Sequence, residues 1–144
     1  MLTAAEILSD TGLDHPDVKG RLSPVSPGSV PVKKFPFWID LVLPSWIGAI
    51  TTPSTIWVRA RLLAIGGESL GRLIIHELVH TRQWREHGIL GFLGHYVKDY
   101  FAARFRDRNG HRAAYRAISF ESEAGAVAAA ASGTVASGIP SRSL

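Results

Sequence analysis

A chain of 144 residues, 46% hydrophobic and 19% charged, has the size and composition of a single globular unit with a real core. It contains no cysteine, which excludes disulfides and thiolate metal sites and leaves His and carboxylate as the strong metal ligands. The net charge of +4 would suit nucleic acid, but the basic residues are scattered and no nucleic-acid motif accompanies them, so solubility is the plainer reading and no nucleic-acid partner is expected.

Residues 1–10 carry Glu6 and Asp10 and lack a basic stretch leading into a long apolar core, so they do not read as a signal peptide and a cytoplasmic location is expected. A short helix is predicted over 3–9. The passage through Pro24, Pro27, Gly28 and Pro31 then predicts an extended N-terminal arm over 1–34, flexible or laid across the domain surface. From 32 to 63 β-branched and aromatic residues dominate, which predicts strands. Thr55-Ile56-Trp57-Val58-Arg59 alternates, and Thr52-Pro53-Ser54 makes the turn of a hairpin. Residues 35–50 are apolar but interrupted by Pro36, Asp40 and Pro44 and too short to span a bilayer, so a membrane contact would be interfacial and is the lesser alternative. An exposed strand here could hold an extended peptide by backbone hydrogen bonds, and a purely structural hairpin fits equally.

Gly66-Gly67 ends the strand region, and Ser69 can cap a helix from about 70 that stops before Gly88. It carries His76-Glu77-Leu78-Val79-His80, an H-E-x-x-H motif. Residues four apart share a helix face, so the two imidazoles can converge on one ion with Glu77 facing the same space, which is the outline of a zinc hydrolase site. Residues 89–106 read as a second helix whose aromatics pack in the core. Residues 107–110 read as a turn, and 111–131 as a third, alanine-rich helix. The principal domain is thus expected over 35–131, and 132–144 as a flexible tail.

A catalytic zinc usually takes three protein ligands and keeps one position open, so a third ligand is needed. His87 lies seven residues beyond His80 on what reads as the same helix, about 10 Å farther along the axis, and cannot share the ion unless that helix breaks. Two carboxylates remain in Phe120-Glu121-Ser122-Glu123-Ala124. Glu121 falls with Ala114, Ile118 and Gly125 on a small apolar face suited to close packing, whereas Glu123 falls with Arg112, Arg116 and Ser119 on a solvated one. Glu121 is therefore the preferred ligand, and Glu123 is left to a surface ion pair or to supporting the site.

These residues resemble those of the zincin metallopeptidases, and among them the gluzincins, in which H-E-x-x-H is completed by a Glu from a later helix. The closer likeness is to small bacterial metallopeptidase-like domains with H-E-L-x-H-x-x-Q-W, a downstream Tyr and F-E-x-E-A, here His76 to His80 with Gln83 and Trp84, Tyr115, and Phe120 to Ala124. It covers roughly residues 47 to 130. The resemblance implies an α+β, minimal zincin-like fold with an edge strand above the active-site helix. It also implies Zn²⁺ held by His76, His80 and Glu121. In gluzincins with E-x-x-A-D, the Asp commonly supports the first motif histidine; Gly125 stands at that position here. The implied activity is peptide-bond hydrolysis on a peptide or protein substrate. Glu77 would serve as base and then acid toward a zinc-activated water. Tyr115 is the candidate oxyanion donor, with core packing as its other role. The rival reading is a zinc-stabilised module that binds a partner segment uncut.

Overall fold

Apolar residues scattered among Pro, Gly and Ser still fold if a neighbouring surface can bury them, and the N-terminal segment does so. A computed structural model describes residues 1–106 and 118–137. In it residues 1–34 are not an extended arm. Helix α1 (Ala4–Asp10) begins at a capping box in which the Thr3 hydroxyl accepts from the Glu6 N–H while the Glu6 carboxylate accepts from the Thr3 N–H at 2.7 Å. Helix α2 (Pro16–Leu22) starts on Pro16, whose missing N–H costs nothing in the first turn. Strand β1 (Val32–Lys34) follows. Nine of the 21 residues of the main core come from positions 4 to 32, so this segment is part of the core and not a covering for it.

Helix α3 (Phe37–Val42) stands where a strand was expected; Pro36 and Pro44 bracket it and lack the donors that a sheet ladder needs. The hairpin is as expected, with β2 (Ala49–Thr52) and β3 (Thr55–Val58) pairing Ala49 with Val58 and Thr52 with Thr55. The sheet order is β1-β3-β2. β1 runs parallel to β3, and β2 forms a free edge. Residues 60–65 form helix α4 (Ala60–Ile65), in keeping with the helix-forming run Ala-Arg-Leu-Leu-Ala.

Helix α5 (Gly67–Phe101) starts three residues before the expected Leu70, from Gly66 at φ 63°. It is broken at Gly88, where φ 67° and ψ 174° are open essentially to glycine alone, so the metal-motif limb ends where the sequence placed its end. The second limb runs 89–101 into a single π-type turn, Ala102–Arg106. Its aromatics divide. Phe92 is buried with Ile118 and Phe120, whereas Phe101 and Phe105 are exposed, contrary to the expected core role. That helix, α6 (Ser119–Ser137), runs past Ser132 into the expected tail. Residues 138–144 of that tail, the turn at 107–110 and the expected helical residues 111–117 lie outside the described residues.

The fold is thus α+β: the small sheet and helices α1, α2 and α6 all pack on α5 or on one another around it. The approach of the N-terminal segment to α5 is close at Gly71, where a Cβ would fall 2.3 Å from Thr11 Oγ1 and 2.7 Å from Leu13 Cδ1. Gly71→Val should therefore lower the stability by about 1–3 kcal/mol, as read by urea or thermal unfolding; an unchanged midpoint would mean that the segment is not packed as described.

Candidate metal centre

Two helices supply the centre. The first limb of α5 places His76 and His80 one turn apart on the face turned toward α6, and the first turn of α6 places Glu121 against them. His76 Nε2 lies 3.0 Å from Glu121 Oε2, His80 Nε2 lies 3.2 Å from Glu121 Oε1, and the two Nε2 atoms are 3.1 Å apart. One ligand atom from each residue therefore falls within 4.8 Å of the others. A tetrahedral ion with bonds of about 2.0–2.1 Å has edges of about 3.3 Å, and the spacing between the two imidazole nitrogens, and from each to a Glu121 oxygen, is near that value.

Protonation sharpens this fit. Gln83 is 1% exposed, and its amide N–H₂ donates to the Phe120 carbonyl at 3.1 Å and to Glu123 Oε2 at 2.7 Å. Its Oε1 must then face His80 Nδ1, 2.7 Å away, so that nitrogen carries the proton and donates. A neutral His80 consequently directs the Nε2 lone pair at the Glu121 carboxylate and at His76. Two acceptors at 3.2 Å repel unless a proton or a cation lies between them, and the donor set is one that a divalent cation satisfies. Where a proton takes the place of the cation, the imidazoles donate to the carboxylate instead. Burial raises the Glu121 pKa, but hydrogen bonds from His76 and His80 and their charges outweigh it and hold the group at about 2. Burial works against a charged His80, but Glu121, through its hydrogen bond and charge, lifts the pKa above the ordinary value.

Glu77 sits beside the triangle and is 5% exposed. Thr51 of the edge strand donates to its Oε2 at 2.6 Å. Burial pushes the Glu77 pKa up, partly offset by the charges of His80 and His76 and by the Thr51 hydrogen bond. A cleft of about 650 Å³ opens on one side of the centre, lined by Trp46, Ala49, Arg72, His76, Glu77 and Glu121. A smaller one of about 270 Å³ opens on the other, where Trp84, Phe92, Leu93 and Tyr96 meet Ile50 and His80. Both reach Ile47 and Ala49 of the segment entering β2. The Arg59 N–H donates to the Gly48 carbonyl at 3.0 Å, so by antiparallel alternation the backbone groups of Ala49 and Thr51 face the free edge.

The structure brings together His76, His80 and Glu121 with Glu77 beside them. Glu123 lies outside the triangle and joins Gln83 to Arg82. Support falls on the second motif histidine through Gln83, with no counterpart at Gly125. His87 is apart, its ring 5.1 Å from Phe120 and 5.4 Å from His95. Tyr115 lies outside the described residues. Thr51 was not anticipated. Its contact with Glu77 spans 26 residues, and no local pattern marks it. No family model, curated protein or solved structure matches the chain.

Two outcomes follow for metal binding. Gln83→Ala removes the acceptor that orients His80 and should weaken zinc binding about 10- to 100-fold by competition with a chelating dye. Zinc bound to this group would also compete with the proton on His80 Nε2. Because the folded pKa of His80 is raised, affinity should be full at alkaline pH and begin to fall while the pH is still above 6.5; Glu121, ionised down to about 2, adds nothing to this loss until far lower pH. An affinity independent of pH between 8 and 5.5 would contradict the ligand set.

Proposed function

We propose that the chain is a zinc-dependent metallopeptidase of zincin type. The observation that carries this reading is Glu77: a buried carboxylate beside the three-donor set, with one oxygen held by Thr51 and the side chain lining the cleft on both sides. A metal that only stabilised the fold would have no use for an acidic group in that place, which costs stability to bury. The resemblance to gluzincins in His76 to His80 and Phe120 to Ala124 supports the same conclusion.

His76, His80 and Glu121 would hold Zn²⁺. Bound there, the ion supplies Lewis acidity to a water molecule and to the substrate carbonyl. Two neutral imidazoles and one carboxylate leave a net charge of +1 on such a centre. Glu77 takes the water proton on Oε1 and later delivers it to the leaving amine nitrogen; its raised pKa makes it a better proton acceptor than an exposed carboxylate. Thr51 keeps the carboxylate from rotating away. Gln83, anchored by Phe120 and Glu123, keeps His80 in the tautomer whose Nε2 faces the centre. The outer edge of β2 offers the Ala49 and Thr51 backbone groups to an extended peptide, which gives affinity without demanding particular side chains.

Glu77→Gln is nearly isosteric and keeps an acceptor for Thr51. Zinc content should be unchanged while cleavage of a peptide library falls about 10²- to 10⁴-fold. Equal turnover by both proteins would sink the proposal, and zinc-loaded wild type that binds peptides without cutting them would replace it with a non-catalytic binding module.

A further inference from the structure

The chain between Pro36 and Ile50 turns most of its large apolar side chains outward and is tied down by hydrogen bonds in that position. Helix α3 has no buried residue: Phe37 is 79% exposed, Trp38 57%, Leu41 79% and Val42 74%, and Trp46 and Ile50 extend the exposed apolar surface. Beneath it lies Arg59, 5% exposed, all five of whose N–H donors are used on this segment. Nε donates to the Ile47 carbonyl at 2.6 Å, Nη1 to the Asp40 carbonyl and carboxylate at 3.0 and 2.7 Å, and Nη2 to the Leu43 and Pro44 carbonyls at 2.9 and 2.8 Å. A loose loop would fold its aromatics onto the protein; this one is fastened with them in water. Contiguous exposed apolar groups of this kind mark an interaction site.

The surrounding charge indicates the partner. From 18 to 67 the chain has six Lys and Arg and a single acid, Asp40, which is already paired with Arg59. Lys33 and Lys34, both exposed, lead into the patch, and Arg61 reaches its far end, donating to the Ser45 carbonyl at 3.1 Å. A second copy docked through a two-fold axis would set this basic rim against itself. Trp and Phe beside Lys and Arg suit the boundary between lipid headgroups and acyl chains. We propose that the α3 segment is a docking surface for an anionic lipid bilayer. Among the described residues no helix is long and apolar enough to cross a membrane, so the contact lies on the surface. Trp46 and Ile50 also line the cleft, so docking brings the cleft mouth to the lipid.

The test uses the full chain with sucrose-loaded vesicles of phosphatidylcholine alone or mixed with phosphatidylserine. Co-sedimentation is expected with the mixed vesicles, weakening as salt rises, and about tenfold less with phosphatidylcholine alone. Trp38→Ser with Leu41→Ser should weaken binding about tenfold, and Lys33→Glu with Lys34→Glu should do so by a similar factor on anionic vesicles only. These side chains take no part in the core, and circular dichroism and zinc content should match wild type; Phe37→Ser with Val42→Ser reads the same patch should the first pair unfold. Failure of wild type to bind the mixed vesicles, or undiminished binding by the variants, would overturn the proposal. So would a wild-type dimer in vesicle-free solution that Trp38→Ser with Leu41→Ser makes monomeric, since the face would then join two copies.

Discussion

Two imidazole nitrogens and the two oxygens of one carboxylate, from two helices, are held with neighbours 3.0–3.2 Å apart, closer than acceptors tolerate with nothing between them. Much of the surrounding structure holds them there. The Gln83 amide spans the gap between α5 and α6, binding the Phe120 carbonyl on one helix and His80 on the other, so the contact that aligns the helices also sets the tautomer. Arg82 adds a second tie, reaching Glu123 on α6 and the Arg21 carbonyl at the end of α2. Site geometry and helix packing therefore rest on the same hydrogen bonds, and a change that separates the helices separates the ligands.

The rest of the cleft is organised by a division of labour along α5. Before Gly88 the helix carries His76, His80 and the buried Glu77. After the break it carries Phe92, Leu93 and Tyr96, which wall the smaller part of the cleft. A straight helix would carry this second limb away from the sheet. The break lets Phe92 stack on Trp84 at 4.1 Å and on Phe120 at 5.2 Å, so one chain element floors the centre and flanks it. The edge strand opposite is tied to the same helix through Thr51 and Glu77.

Features encoded within a few residues were legible in the sequence. The spacing of His76 and His80, the hairpin turn at Pro53, the end of the first limb at Gly88 and the placement of Glu121, not Glu123, beside the histidines all follow from one helix turn or one strand alternation. The N-terminal segment was misread because Leu8, Leu13, Val18, Leu22 and Val30 share no period and their burial depends on α5 and the sheet, although Thr3 with Glu6 and the Pro16 start were visible as helix signals. Phe37 to Val42 looks like a strand by composition; it is helical around an arginine 17 residues beyond its last residue. Gln83 was visible in the motif, but its role needs the Phe120 carbonyl and Glu123, which only the fold brings near.

Helix α2 touches α6, and β1 lies beside β3 across 24 residues of sequence. Such a core has few self-contained halves. As the chain emerges from a ribosome, the first 34 residues wait for the strands and α5 before most of their apolar surface is covered, and the last ligand, Glu121, arrives after both histidines. During that interval His76 and His80 would offer only two of the three candidate ligands, a weaker and less selective site than the finished one. On the proposed reading, metal loading would therefore be coupled to completion of the fold: the ion would be captured firmly only by a chain that has already closed its core.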